Sequence, residues 1–272
     1  MSWNGIDSTS VKISSSFLRF AFGRLRYESV VKWSSDAGQQ LEEFERLLSD
    51  EAYFKGKISE WMAGGVEDAW QKSFEQNSWI LWYGLRYVFT SPLDNRKLEQ
   101  ITTGHSFLEA GKRTDALLKT RGLISSLCFV ELKTHRTQLL SSEPYRPESW
   151  RISNELAGAI AQVQKTVQKA LKSLKVETTS KDGFPTGEIV FNYQPKAVVV
   201  IGCLDEFRSS YGVNESKYSS FELFRRNTMN PEIITFDELY DRARFIVELA
   251  ETDTQVVRQT VVETIDEEEI PF

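Results

Sequence analysis

The chain has 272 residues, 40% of them hydrophobic and 26% charged, with 39 acidic and 33 basic side chains and a net charge of −6. That length allows one large domain or two small ones, and the lack of any run of about 18 apolar residues argues against a membrane-spanning helix. The charge is unevenly placed: residues 251–272 hold seven acids and one base, residues 1–250 balance, and residues 112–175 hold twelve Lys and Arg against five acids.

The first residues, Met1 to Asp7, lack the charged-then-apolar layout of a secretory signal. Val11 to Tyr27 mixes alternating and helical spacing and is expected to be strand-like. Residues 36–62 predict one or two helices, with Leu41, Phe44, Leu47 and Leu48 on one face. Gly64-Gly65 breaks the pattern, and Val66 to Gln76 predicts a helix with Trp70 and Phe74 one turn apart. Strand-like segments follow at Leu85–Thr90, Arg113–Lys119 and Leu123–Lys133, the last two joined by the turn-like Thr120-Arg121-Gly122. Residues 137–152, with Pro144 and Pro147, are expected to be a polar loop. Leu156, Ile160, Val163, Val167, Leu171 and Leu174 then recur at steps of three and four, predicting a long amphipathic helix ending near Lys175, capped by Ser153 or Asn154. A loop over Thr178–Gly187 leads to a short buried strand, Ala197–Gly202. Helices are predicted near 216–227 and 236–249, the second capped by Thr235. This order predicts a mixed α/β core. Cys128 and Cys203 both fall in apolar runs, as suits reduced thiols in a cytoplasmic protein.

The chemistry concentrates in Cys128-Phe129-Val130-Glu131-Leu132-Lys133. Residues two apart on a strand share a face, so Glu131 and Lys133 point one way and Cys128, Val130 and Leu132 the other. A carboxylate on so apolar a strand costs several kcal/mol to bury unless a cation or hydrogen bonds compensate it. Asp115, sixteen residues before Glu131, falls on the preceding predicted strand. Two carboxylates and the Leu132 carbonyl form a donor set for Mg²⁺ or Mn²⁺, and a nearby Lys can hold water or stabilise a phosphate under attack. The basic segment around them suits an anionic substrate such as DNA. Lys112, Arg113, Arg136, Lys165 and Lys169 are the candidate backbone contacts, although Lys165, Lys169, Lys172 and Lys175 equally suit the solvated face of one helix. A second acid-x-Lys, Glu215-Ser216-Lys217, sits in a polar stretch and is read as chance. Glu131 and Lys133 could by themselves be a strand-end salt bridge.

Asp115…Glu131-x-Lys133 on two strands resembles the PD-(D/E)xK nuclease superfamily, with Thr114 where its proline would be. More narrowly, Glu67–Leu81, Asp115–Lys133, Glu155–Gln162, and Lys196–Gly202 with Ile233–Leu239 resemble the nuclease domain of the Shedu antiphage family. The resemblance implies a restriction-endonuclease-like core, a mixed central sheet flanked by helices. It divides the chain into an N-terminal extension (1–64), a nuclease domain (65–249) and an acidic tail (250–272). It implies that Asp115, Glu131 and Lys133 are catalytic, aided by a Gln on the following helix, Gln162 with Gln164 as rival. It also implies a Glu near the metal on an earlier helix. Glu67 stands at that place, where an exposed helix-start acid is an equally good reading. His135 is left as structural, and a homo-oligomer is implied.

The last residues, Asp266-Glu267-Glu268-Glu269-Ile270-Pro271-Phe272, resemble the acidic tip of bacterial single-stranded-DNA-binding proteins, a docking peptide. This implies a partner protein whose pocket takes Phe272 while basic side chains meet Glu267, Glu268 and Glu269; a plain acidic tail is the alternative. The expectation is a metal-dependent endonuclease acting on phage DNA. The rivals are a non-catalytic DNA-binding scaffold and a repair nuclease of the same superfamily.

Overall fold

The computed structural model describes residues 36–84, 90–92, 116–120, 125–173, 177–179 and 185–248. The chain divides into two compact units, Met1–Glu42 with Arg244–Phe272, and Glu43–Ala243. The second unit carries the architecture. Its described elements are the helices α1 (36–49, shared with the first unit), α2 (Glu51–Glu60), α3 (Val66–Gln76) and α4 (Trp79–Gly84). The strands β1 (Thr90–Pro92), β2 (Ala116–Thr120) and β3 (Ser125–Leu132) follow, then the hairpin β4 (Leu140–Arg146) and β5 (Ser149–Ile152). Next come the long helix α5 (Asn154–Ser173), β6 (Glu177–Thr179), β7 (Pro185–Val200) and the small hairpin β8 (Arg208–Ser209) and β9 (Gly212–Val213). Helix α6 (Glu215–Asn227), β10 (Glu232–Ile234) and α7 (236–248, also shared between the units) complete it.

Among the described residues the central sheet has six strands, in the order β1-β2-β3-β7-β10 with β6 paired to β7. β2 and β3 pair antiparallel, as the turn-like residues between them predicted, with Ala116 opposite Val130. β3, β7 and β10 run parallel, with Glu131 opposite Val199 and Ile233 beside the same Val199. The sheet is therefore mixed, and its apolar parallel centre explains why β3 and the end of β7 are nearly continuous hydrophobic runs. One core lies between the sheet and α5: Leu127 and Phe129 of β3 and Ala197 and Val199 of β7 pack with Leu156, Ala159 and Val163. Leu156 and Val163 belong to the stripe that predicted an amphipathic helix, and Ile160 and Val167 pack against the core from its margin; Ala159 and Ala170 line the core in addition, and Leu171 of the predicted stripe is exposed. Ser153 caps α5, its Oγ accepting from the Leu156 N–H at 3.0 Å.

Two expectations about elements are corrected. Residues 137–152 are not a loop; most of them form the β4–β5 hairpin. Leu139 and Leu140 are buried at its base, and their N–H groups donate to the Glu206 carboxylate at 2.5 and 3.2 Å. Trp150 and Ile152 pack against the α5 core. The polar residues and prolines that suggested a loop lie on an exposed ribbon, where an unpaired edge tolerates them. The second correction concerns β7, which begins at Pro185 and pairs with β6, where a loop and only a short strand were expected. The β-branched and aromatic run Ile189-Val190-Phe191 carries that signal, and the left-handed Gln194 (φ 46°) stands between it and the buried run.

Thr235 stands at the start of α7, its carbonyl accepting from the Leu239 N–H, but its hydroxyl donates and the capping runs the other way. The Glu238 carboxylate accepts from both the Thr235 N–H and its hydroxyl, and it also takes two hydrogen bonds from Arg225 of α6. Cys128 and Cys203 are free thiols, and burial pushes each up to about 12. Among the described residues no helix is long and apolar enough to cross a membrane.

Candidate active site

β3 ends with its chemistry. Leu127 and Phe129 enter the α5 core, and the strand's two-residue period puts Glu131 and Lys133 on the same side. Glu131 is 2% exposed and Lys133 15%, with Lys133 Nζ 3.2 Å from a Glu131 carboxylate oxygen. A carboxylate this deep keeps its charge only with such compensation. A second acid joins from outside the sheet. Glu67, in the first turn of α3 and 55% exposed, brings an oxygen to 3.7 Å from Lys133 Nζ. One ammonium thus bridges a buried carboxylate and a solvent-facing one.

The turn after β3 fixes where Lys133 stands. The Lys133 N–H donates to the Val200 carbonyl at 2.9 Å, so strand alternation directs the Leu132 carbonyl to the β2 side. The Gly202 N–H donates to the Thr134 carbonyl, and Thr134 and Thr137 share a hydroxyl hydrogen bond at 2.9 Å. Gly202 adopts φ +61°, and a Cβ there would lie 2.6 Å from the Thr137 carbonyl oxygen. Only glycine lets the segment after β7 close onto this turn.

Asp115 lies outside the described residues, as do Lys112 and Arg113; the residue after Asp115, Ala116, begins β2 opposite Val130. Gln162 is half-buried on α5 beside the packed stripe. Its rival Gln164 is exposed and donates to the Asn230 carbonyl at 3.1 Å. Lys165 is exposed and Lys169 half-buried on α5. Arg136 is 38% exposed, and its guanidinium holds Glu51 of α2, with contacts of 2.8 and 3.2 Å. The tail residues Glu267, Glu268, Glu269, Ile270, Pro271 and Phe272 lie outside the described residues. Glu215 and Lys217, the second acid-x-Lys, open α6, where Lys217 lies 4.6 Å from the centre of the Trp150 ring.

His135 was legible only as a lone histidine. It stands in an aromatic cluster, with ring centres 5.3 Å from Trp70 and 5.2 Å from Phe54. Its Nδ1 accepts from Trp70 Nε1 at 2.9 Å. Burial, with the Arg136 guanidinium beside it, pushes the imidazole down to about 4, so the ring is neutral at physiological pH.

A family model described as Shedu protein SduA, C-terminal, matches residues 65–240. The chain belongs to this Shedu SduA C-terminal family. It is also similar to the Shedu protein SduA of Bacillus cereus (strain B4264), 26% identical over 221 residues that cover 78% of this chain and 54% of the relative. The chain thus spans about half the length of the curated relative it matches. The family region contains Glu67, the Glu131–Lys133 pair and α5. It leaves outside it the first 64 residues and the acidic tail.

Proposed function

We propose that this chain is a metal-dependent DNA endonuclease of antiphage defence, built on a restriction-endonuclease-like core. The observation that carries the reading is the buried Glu131 ion-paired with Lys133 at the end of an apolar central strand, with Glu67 beside the same ammonium. A strand-end salt bridge does not need so deep a carboxylate, because an exposed pair contributes only about 0–1 kcal/mol and avoids the desolvation cost. Membership of the Shedu family supports the defence role.

Among the described residues no group of three ligating side chains is assembled. The described donors are nonetheless of the right kind, since the Glu131 and Glu67 carboxylates and the Leu132 carbonyl are hard oxygen ligands. With Asp115 they would hold Mg²⁺ or Mn²⁺, which when bound supplies charge neutralisation at the phosphate and a more acidic water. The protein's own groups do the rest. Lys133 holds the attacking water or meets the charge that builds on the phosphate as the new P–O bond forms and the old one breaks. Gln162 helps to position the water. Arg136, Lys165 and Lys169, with Lys112 and Arg113, hold the DNA backbone and read no sequence. The active form is a homo-oligomer in the cytoplasm. The tail ending Ile270-Pro271-Phe272 mimics the docking tip of single-stranded-DNA-binding proteins and takes a partner with an apolar, basic-rimmed pocket.

The test incubates linear and circular DNA with the protein and Mg²⁺ or Mn²⁺, comparing wild type with Lys133→Ala. Cleavage that requires metal and is lost in the variant supports the reading, as does phage protection lost with it. DNA binding without cleavage under every metal makes the chain a scaffold. Cleavage without phage protection makes it a repair nuclease of the same superfamily. Deleting Ile270–Phe272 without change in partner capture or basal nicking removes the tail's role.

A further inference from the structure

We propose that His135 is a positioning residue that fixes α3 through Trp70, so that Glu67 stays beside Lys133. Two contacts tie one turn of α3 to one tripeptide. Glu67 meets Lys133, and Trp70, three residues further along the helix, donates its indole N–H to His135, two residues beyond Lys133. Residues three apart on a helix are neighbours on its surface, so the contacts are nearly side by side. They differ in strength. Glu67 is more than half exposed and 3.7 Å from the ammonium, a contact that solvent screens and that holds no helix in place. Trp70 is fully buried among Phe44, Phe54, Phe74 and Phe236. Its N–H can only donate, and in that apolar setting it needs an acceptor. His135 supplies it. The histidine therefore sets the height and rotation of α3, and Glu67 follows.

The charge state of the ring fits this role. A neutral imidazole has one accepting nitrogen. Two donors approach the ring, Trp70 Nε1 at Nδ1 and Arg136 Nε at Nε2, 3.1 Å away. The guanidinium also donates to Glu51 through its other two nitrogens, whereas the buried indole has a single hydrogen to place, so the accepting nitrogen is assigned to Nδ1. The same guanidinium opposes protonation of the ring, which would delete the acceptor that Trp70 uses.

The consequence for cleavage rests on the nuclease reading; the fixing of α3 does not, and the experiment separates them. His135→Phe keeps a ring and drops the acceptor, whereas His135→Asn keeps a carbonyl near the place of Nδ1. Amide hydrogen exchange is followed over Val66–Gln76 and, as control, over α5. Single-turnover cleavage is followed against Mn²⁺ concentration in the same variants, in Glu67→Gln, and in the His135→Phe/Glu67→Gln double variant. The expected result is faster exchange in α3 alone for the Phe variant. Cleavage slows about tenfold with a higher half-saturating Mn²⁺, the usual scale for a group that orients a ligand. The Asn variant recovers both, and the double variant is no slower than Glu67→Gln. Unchanged α3 exchange in His135→Phe, or an Asn variant as impaired as the Phe variant, overturns the proposal, as do effects that multiply with Glu67→Gln. If His135→Phe does not fold, Trp70→Phe, which removes the donor instead, is read in its place by the same criteria. If wild type cleaves no DNA with any metal, the nuclease reading fails and the exchange measurement alone decides the role of His135.

Discussion

Lys133→Met is the perturbation that weighs the central ion pair. It keeps the aliphatic stem and removes the ammonium 3.2 Å from Glu131. At an effective dielectric constant of about 20, Coulomb's law gives roughly 5 kcal/mol of attraction at that distance. Part of this is returned, because a 15%-exposed ammonium no longer has to be desolvated. Glu67 gives back little, being 55% exposed. The expected loss is about 3 kcal/mol at pH 7, at the low end of what breaking a buried pair costs. One feature distinguishes this from an ordinary core substitution. Adding Glu131→Gln at pH 7 recovers most of the loss without restoring cleavage, because the buried charge is removed with its partner. Urea unfolding of wild type, Lys133→Met, Glu131→Gln and the double variant at pH 7 measures this. A Lys133→Met protein within about 0.5 kcal/mol of wild type, or a double variant as unstable as Lys133→Met, would mean that Lys133 is not what compensates Glu131. The argument for the pair as the catalytic centre would then fail with it.

Gly202→Ala should lose about 2–4 kcal/mol in urea unfolding, from left-handed strain plus a Cβ 2.6 Å from the Thr137 carbonyl and 2.7 Å from Leu139; a wild-type midpoint would contradict the close approach. His135 titrates near 4 when folded against 6.5 when unfolded, so the unfolded chain binds more protons between those values and stability falls as pH drops through that window. The span corresponds to roughly 3 kcal/mol, trimmed to about 2 by partial solvent screening of the ring, and a His135→Asn protein whose stability falls equally over pH 6.5 to 4 would refute the assignment. Arg136→Ala should weaken DNA binding and lower the slope of log affinity against log salt by about 1. Glu51→Ala, by releasing the guanidinium it holds, should tighten binding; titrations at several salt concentrations in which the two variants shift affinity in the same direction would exclude Arg136 from the DNA surface.

The helices show why local pattern was enough in some places and not in others. α3, α5 and α6 lie close to their predicted bounds, because a stripe such as Leu156, Ile160, Val163, Val167 repeats at the helical period whatever lies across from it. Ser153 was legible as a cap, and Thr235 as a helix start facing Glu238, because both contacts span three residues. The β4–β5 hairpin was not legible. Its burial is confined to one end, where Glu206, 66 and 67 residues away, accepts the N–H groups of Leu140 and Leu139.

The sequence alone determined that Glu131 and Lys133 share a face, since a strand's period of two allows nothing else once the apolar run is seen to be a strand. It also determined that the acid would need compensation, because desolvation depends on the apolar residues around it. Tertiary structure decided which partners supply that compensation and how they are held. Glu67 reaches Lys133, and Trp70 reaches His135, only because α3 packs beside the end of β3. Those pairs lie more than sixty residues apart in the chain, and no periodicity spans such a gap; only a packed core brings one within ion-pair distance and the other within hydrogen-bonding distance.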